Sequence, residues 1–189
     1  MSTMTKRTCW LPAIWCLLLA GICCCTPRPS GPGAKWSVLP ELLSYKRLAV
    51  VPRETPTTAL EQYWSDKISK VIVLSLMEKM HGATVTFIPE LTAFASSASE
   101  SKAGWNTEEG ARIAEQSSVD AIVVWNSPSP VSLRYDKGPK FFGLEILILD
   151  CRSGLSLAHG SGGTYGGSID AAARQAVSGI IEKASTQSK

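Results

Sequence analysis

Three consecutive thiols, Cys23-Cys24-Cys25, close an uncharged run from Thr8 to Pro27 that follows Lys6-Arg7 and contains Leu17-Leu18-Leu19-Ala20-Gly21. A basic start, a short apolar stretch and a cysteine behind it are the parts of an export signal whose terminal thiol can be lipidated once the peptide bond before it is cut. Cys25 is the expected lipidated residue, because Ile22, Cys23 and Cys24 upstream of it form the best available cleavage box; Cys24 and Cys23 are the alternatives. Two other outcomes fit the same residues. One is ordinary signal cleavage near Thr26; the other is an uncleaved anchor, since roughly 20 mostly apolar residues suffice to span hydrocarbon.

The rest of the chain offers little that could do covalent chemistry. Its two histidines, His81 and His159, stand far apart without metal-ligand spacing, and no Gly-x-Ser-x-Gly elbow is present. The carboxylates are dispersed along helix faces. One cysteine, Cys151, lies beyond position 25, so neither a disulfide framework nor a structural zinc site is expected; Cys151 reads as a small apolar filler at a strand end. A glycine-rich stretch, His159 to Ser168, offers Gly160, Gly162 and Gly163 as a cradle for a nucleotide or sugar phosphate. Its spacing is Gly-x-Gly-x-x-x-Gly, and the segment from Gly162 to Ser168 lacks the lysine of a phosphate loop. The proline-rich segment Asn126 to Pro139 carries Arg134, Tyr135 and Lys137, residue types enriched at protein interfaces. No catalytic residue, metal or cofactor is expected.

Charge narrows the partners. The formal net charge is +3, and Lys6 and Arg7 leave with the first 25 residues. A nearly neutral remainder is no footprint for nucleic acid, which needs a concentrated basic face.

These residues must be positioned by three parts: a signal peptide over 1–25, a Pro/Gly-rich tether over 26–44, and one domain over 45–189. The tether opens with Thr-Pro-Arg-Pro-Ser-Gly-Pro-Gly, too poor in apolar side chains to fold by itself, and Trp36, Val38, Leu39, Leu42 and Leu43 mark where it docks. Arg47 to Pro52 is an apolar run closed by proline, a buried strand. Ala59 to Met80 is a long helix. Its first half sets Leu60, Trp64, Ile68, Val71 and Ile72 against Glu61, Gln62, Ser65, Asp66, Ser69 and Lys70; its second half is apolar nearly all round and should be covered on more than one side. Gly82 stops it. Thr84 to Pro89 and Asp120 to Trp125 are strands on either side of a loop around Phe94 to Trp105 and a helix from Thr107 to Gln116. Phe141 to Leu149 is a central strand, Leu155 to Thr164 its antiparallel partner, and Ser168 to Lys183 a terminal helix. The order β-α-β-α-β-β-β-α predicts an α/β domain with a mixed sheet of about five strands and helices packed over it.

In their order, Leu48-Ala49-Val50-Val51-Pro52, the long helix, Ser118 to Val124 and Leu147-Ile148-Leu149-Asp150-x-x-Ser153-Gly154 resemble a group of bacterial envelope domains. These are the periplasmic α/β domains of penicillin-binding-protein activator lipoproteins, the TolB N-terminal domain and the curli secretion lipoprotein. The resemblance covers about residues 46–183, with Ser118-Val119-Asp120 standing where the group has Gly-Ala-Asp. It implies a lipoprotein held in the cell envelope by an N-terminal lipid. The domain would face the periplasm, with the outer membrane favoured over the inner, and would bind an envelope protein without catalysis.

Overall fold

The computed structural model describes residues 37–100, 107–127, 141–165 and 168–188, all within the unit Gly31–Lys189. Cys23, Cys24, Cys25, Arg134, Tyr135, Lys137 and Trp105 lie outside the described residues. Among the described residues six strands form one sheet: β1 (Ser37–Val38), β2 (Arg47–Pro52), β3 (Thr84–Phe87), β4 (Ala121–Asn126), β5 (Phe141–Asp150) and β6 (Ser156–Tyr165). Their order is β1-β6-β5-β4-β2-β3. β2 runs parallel to both β3 and β4, whereas β4, β5, β6 and β1 follow one another antiparallel.

Helices cover both faces, and this explains the unbroken apolar runs of the central strands. Leu48 and Val50 of β2 and Ala121, Val123 and Trp125 of β4 point to one core, shared with α1 (Ala59–Lys79) and α4 (Ile169–Gln187). Ala49, Val51, Ile122 and Val124 point to a second core under α2 (Thr92–Glu100) and α3 (Thr107–Gln116). α1 begins at a capping box in which Glu61 N–H donates to Thr58 Oγ1 and Glu61 Oε2 accepts from Thr58 N–H. It ends at Lys79 with Met80 as its C-cap, and Gly82 follows at φ +79°.

The fold departs from expectation at two places and adds one irregularity to the sheet. The region expected to be tether up to residue 44 instead contributes its last part to the domain: β1 pairs with β6 at Ser37↔His159 and Val38↔Ala158, and a 3-10 helix over Pro40–Ser44 buries Leu42 completely. This sixth strand exists because β6 offers a free edge there. The expected loop around Phe94 is helix α2, where Phe94 and Ala95 are buried in the second core; burial of one face supplies what its Ser/Ala composition does not announce. Between β5 and β6 the register slips, Ile148↔Ala158 being followed by Leu149↔Ser156. Leu157 is the extra residue of this bulge, and both Leu157 and Ala158 reach the first core.

Candidate functional site

The long helix turns Ile68 and Ile72 inward, as its polarity suggests, at 2% and 0% exposed, but seats two serines beside them. Ser65 and Ser69, expected on the solvent side, are 5% and 0% exposed, while Leu60, Tyr63, Leu74 and Met77 are 53%, 59%, 59% and 48% exposed. The physical reason lies beneath α1. Trp125 of β4 needs a partner for its indole N–H, and Ser69 Oγ accepts it at 3.0 Å; small serines also let the helix sit close to the sheet. Ser75 satisfies itself on the Val71 carbonyl at 2.7 Å. Leu60, expected inward, joins Tyr63, Leu74 and Met77 in a stripe along the outer side, interrupted by Lys67 and Lys70. Lys67 lies 5.2 Å from the centre of the Trp64 ring and 3.6 Å from Asp170 Oδ1 of α4.

At the carboxyl ends of β2 and β4, the place where α/β sheets hold ligands, a crevice of about 640 Å³ is lined by Arg53, Glu54, Trp64, Ser65, Asn126 and Ser127 among others. The amino end of α1 faces it and would attract an anion. That role is filled from within: Glu61 Oε2 accepts from Thr57 N–H and Thr57 Oγ1 at 2.8 Å each, and these bonds hold the Glu61 carboxyl below its usual range. Among the described residues Trp64 Nε1 and Ser65 Oγ find no hydrogen-bond partner, but both are screened from solvent, so a solute in the crevice does not reach them unless the wall moves.

A second recess, about 380 Å³, opens beside β5 and β6 and is lined by Arg53, Trp125, Glu145, Leu147 and His159 among others. His159 Nε2 and Glu145 Oε1 lie 2.7 Å apart, with both side chains about two-fifths exposed. A pair so open to water contributes on the order of 0–1 kcal/mol.

Neither cavity is lined by Gly160, Gly162 or Gly163. As the strand expected over Leu155 to Thr164 implies, β6 runs through these glycines, and it continues to Tyr165, with Gly160↔Ile146, Gly162↔Leu144 and Gly163↔Gly143 in register. Gly162 meets α4 backbone to backbone: a Cβ there would lie 2.7 Å from Ala172 O and 2.7 Å from Ala176 N. The missing side chain is what lets α4 close on the sheet.

Polar groups gather at the opposite end of the sheet. Arg47 grips Asp120 through Nε at 3.1 Å and Nη2 at 2.5 Å, and the Asp120 carboxyl is lowered chiefly by that bond. Next to it, Cys151 is fully buried, and burial pushes its thiol up to about 12, with the Asp150 and Asp120 charges adding to the effect. A thiol so protonated is a poor nucleophile, as the filler reading expects. Among the described residues no group of three His, Cys, Asp or Glu side chains is placed to hold a metal ion, and no helix is long and apolar enough to cross a membrane.

No family model matches the sequence, and no curated protein matches it. Among solved structures the chain is similar to the PelC dodecamer from Paraburkholderia phytofirmans, at 12% identity and a TM-score of 0.52, covering 80% of this chain and 96% of that one. Lipoprotein GNA1162 from Neisseria meningitidis aligns at 14% identity and a TM-score of 0.40, over 75% of this chain and 94% of its own. What the chain shares with PelC is the fold: a mixed α/β sheet with helices on both faces.

Proposed function

We propose that this protein is a bacterial envelope lipoprotein, anchored through a lipid on Cys25, whose periplasmic α/β domain works by binding protein and not by catalysis. The observation that carries this reading is the outer face of α1, which presents Leu60, Tyr63, Leu74 and Met77 to the outside; large apolar side chains gathered on one exposed face mark a surface that another molecule covers. The fold it shares with PelC, a protein that assembles as a dodecamer, supports the same reading, and the basic, apolar and cysteine segments of residues 6–25 supply the anchor. Gly162 packed against α4 speaks against the rival use of the glycine-rich segment as a phosphate cradle.

Intact mass of the membrane-extracted protein tests the anchor. The expected species begins at Cys25 and carries a diacylglyceryl group; a mass equal to the full chain would replace the lipid anchor with an uncleaved helix. Co-purification from envelopes tests the contact role, with Arg134→Ala/Tyr135→Ala expected to lose the partner. Retained capture by that double variant would remove the 126–139 segment from the binding surface.

A further inference from the structure

The stripe on α1 reads almost the same from both ends. Leu60 and Met77, Tyr63 and Leu74, Lys67 and Lys70 are each placed symmetrically about the midpoint between Ile68 and Ser69. A two-fold axis level with that midpoint, perpendicular to the helix and passing just outside its exposed face, lays α1 of a second copy antiparallel beside the first, which is the isologous arrangement of most protein dimers. We infer that the outer face of α1 is a self-association surface and that its occupant is a second copy of this chain. The inference rests on the protein-contact reading and names the partner.

Under that symmetry Tyr63 of each copy lies against Leu74 of the other, and Leu60 reaches toward Met77. Asp66 and Lys70 lie one turn apart on the same flank, so the axis brings Asp66 of one copy to Lys70 of the other, twice. Asp66 also accepts from Gln62 through Oδ1 at 2.7 Å, which holds the carboxylate at that flank. The one like-charge approach, Lys67 to Lys70, is relieved because Lys67 is drawn back toward its own Trp64 ring and Asp170. Both signs of charge alternate with the apolar residues, Asp66 and Glu78 with Lys67 and Lys70. Such a face suits its own complement better than an anionic lipid surface, which selects a polar face rich in Lys and Arg. The stripe from residue 60 to 77 is about 26 Å long at 1.5 Å per residue, so it buries an area at the low end for specific interfaces. The dimer is therefore weak in solution, and anchoring of both copies in one membrane raises their effective concentration.

Sedimentation of the full chain in detergent, across a concentration series, tests this. The wild type is expected to pass from monomer to dimer, and Leu74→Glu to remain monomeric with an unchanged circular dichroism spectrum. Asp66→Lys and Lys70→Asp, each alone, should weaken association at least about tenfold by setting like charges against each other; the double variant Asp66→Lys/Lys70→Asp should restore it. A wild type that stays monomeric to about 100 µM, a dimer that survives Leu74→Glu, or a double variant no tighter than the singles overturns the inference. A lipidated monomer would remove this dimer and leave the envelope reading standing, whereas an unlipidated, uncleaved dimer would do the reverse.

Discussion

Tyr45 and Asp150, 105 positions apart, are joined by a hydrogen bond of 2.7 Å from the tyrosine hydroxyl to Asp150 Oδ2. The other oxygen of the same carboxylate accepts from the N–H groups of Arg152 and Ser153 at 3.0 and 2.6 Å and from Ser153 Oγ at 2.7 Å. One side chain thus shapes the β5–β6 turn and fastens to it the segment that leads into β2.

Replacing Tyr45 with phenylalanine removes the tie and leaves the turn bonds in place. Because Asp150 is only partly buried, water can take the vacated site, and the expected loss is about 0.5–1.5 kcal/mol by urea denaturation. A loss above about 3 kcal/mol would mean that the tyrosine acts through packing, since a net hydrogen bond is worth less than that.

Acid should weaken the fold through two carboxylates. Burial opposes ionisation of Asp150, but the bonds from Ser153, Tyr45 and Arg152 outweigh it and hold the group below its usual range; Asp120 is held down by Arg47. A lowered folded pKa contributes stability that is present above the unfolded value of about 3.9 and lost as pH falls through the folded one. The melting temperature should therefore hold down to about pH 4.5 and drop below it. Asp150→Asn should be less stable at neutral pH and lose less on acidification. An acid slope in that variant identical to the wild type's would exclude Asp150 as a contributor.

Alkali acts with the opposite sign. Burial raises the Cys151 thiol from 9.0 and the Tyr45 hydroxyl from 10.0, each to about 12, with the Asp150 charge adding in both cases. Stability from these groups is complete below their ordinary values and drains away as pH climbs toward 12. Cys151→Ala should lose less stability between pH 9 and 10 than the wild type, read by thermal melts. The native Cys151 should also resist thiol reagents at neutral pH, with peptide mapping separating it from the cysteines nearer the amino terminus; labelling as fast as in urea would contradict its burial.

Ser69→Ala leaves the Trp125 indole N–H buried without an acceptor, since Ser69 is 0% and Trp125 6% exposed. The cost expected from an orphaned buried donor is about 1–3 kcal/mol. Ser69→Thr, which keeps a hydroxyl, separates the hydrogen bond from the space: recovery of stability would point to the bond, and a further loss to crowding beneath α1.

Gly162→Ala should cost about 1–3 kcal/mol through overpacking, because its Cβ would meet backbone atoms of α4 that cannot rotate away. Chemical denaturation gives the value. A neutral substitution would show that α4 can lift from β6, and would return the glycines to consideration as a ligand surface.

Much of this architecture is legible in the residue pattern, and the exceptions have physical causes. Arg47–Pro52 and Ala121–Asn126 are apolar without alternation because both faces of the sheet are covered, and α4 carries its small apolar residues at helical spacing. β1 escapes notice because two residues have no periodicity, and α2 because Ser and Ala carry no strong apolar pattern; both form where another element offers an edge or a face. The candidate surface was half visible. An apolar circumference from Val71 to Met77 announces that α1 needs cover on more than one side, but the burial of Ser69 among Ile68, Ile72 and Leu76 answers to Trp125, a residue more than fifty positions later whose indole donates to it. The segment bearing Arg134, Tyr135 and Lys137 lies outside the described residues.

β1 also determines how the domain bears a load. Any pull on the chain ahead of Ser37 reaches the sheet through a strand of two residues paired, among the described residues, on one side only, at His159 and Ala158. Behind it sits Leu42, fully buried, which must be drawn from the core before Tyr45 and its bond to Asp150 feel the force. The amino-terminal edge is therefore the part of the sheet with least to lose on opening: β1 contributes two paired residues, against six between β4 and β5.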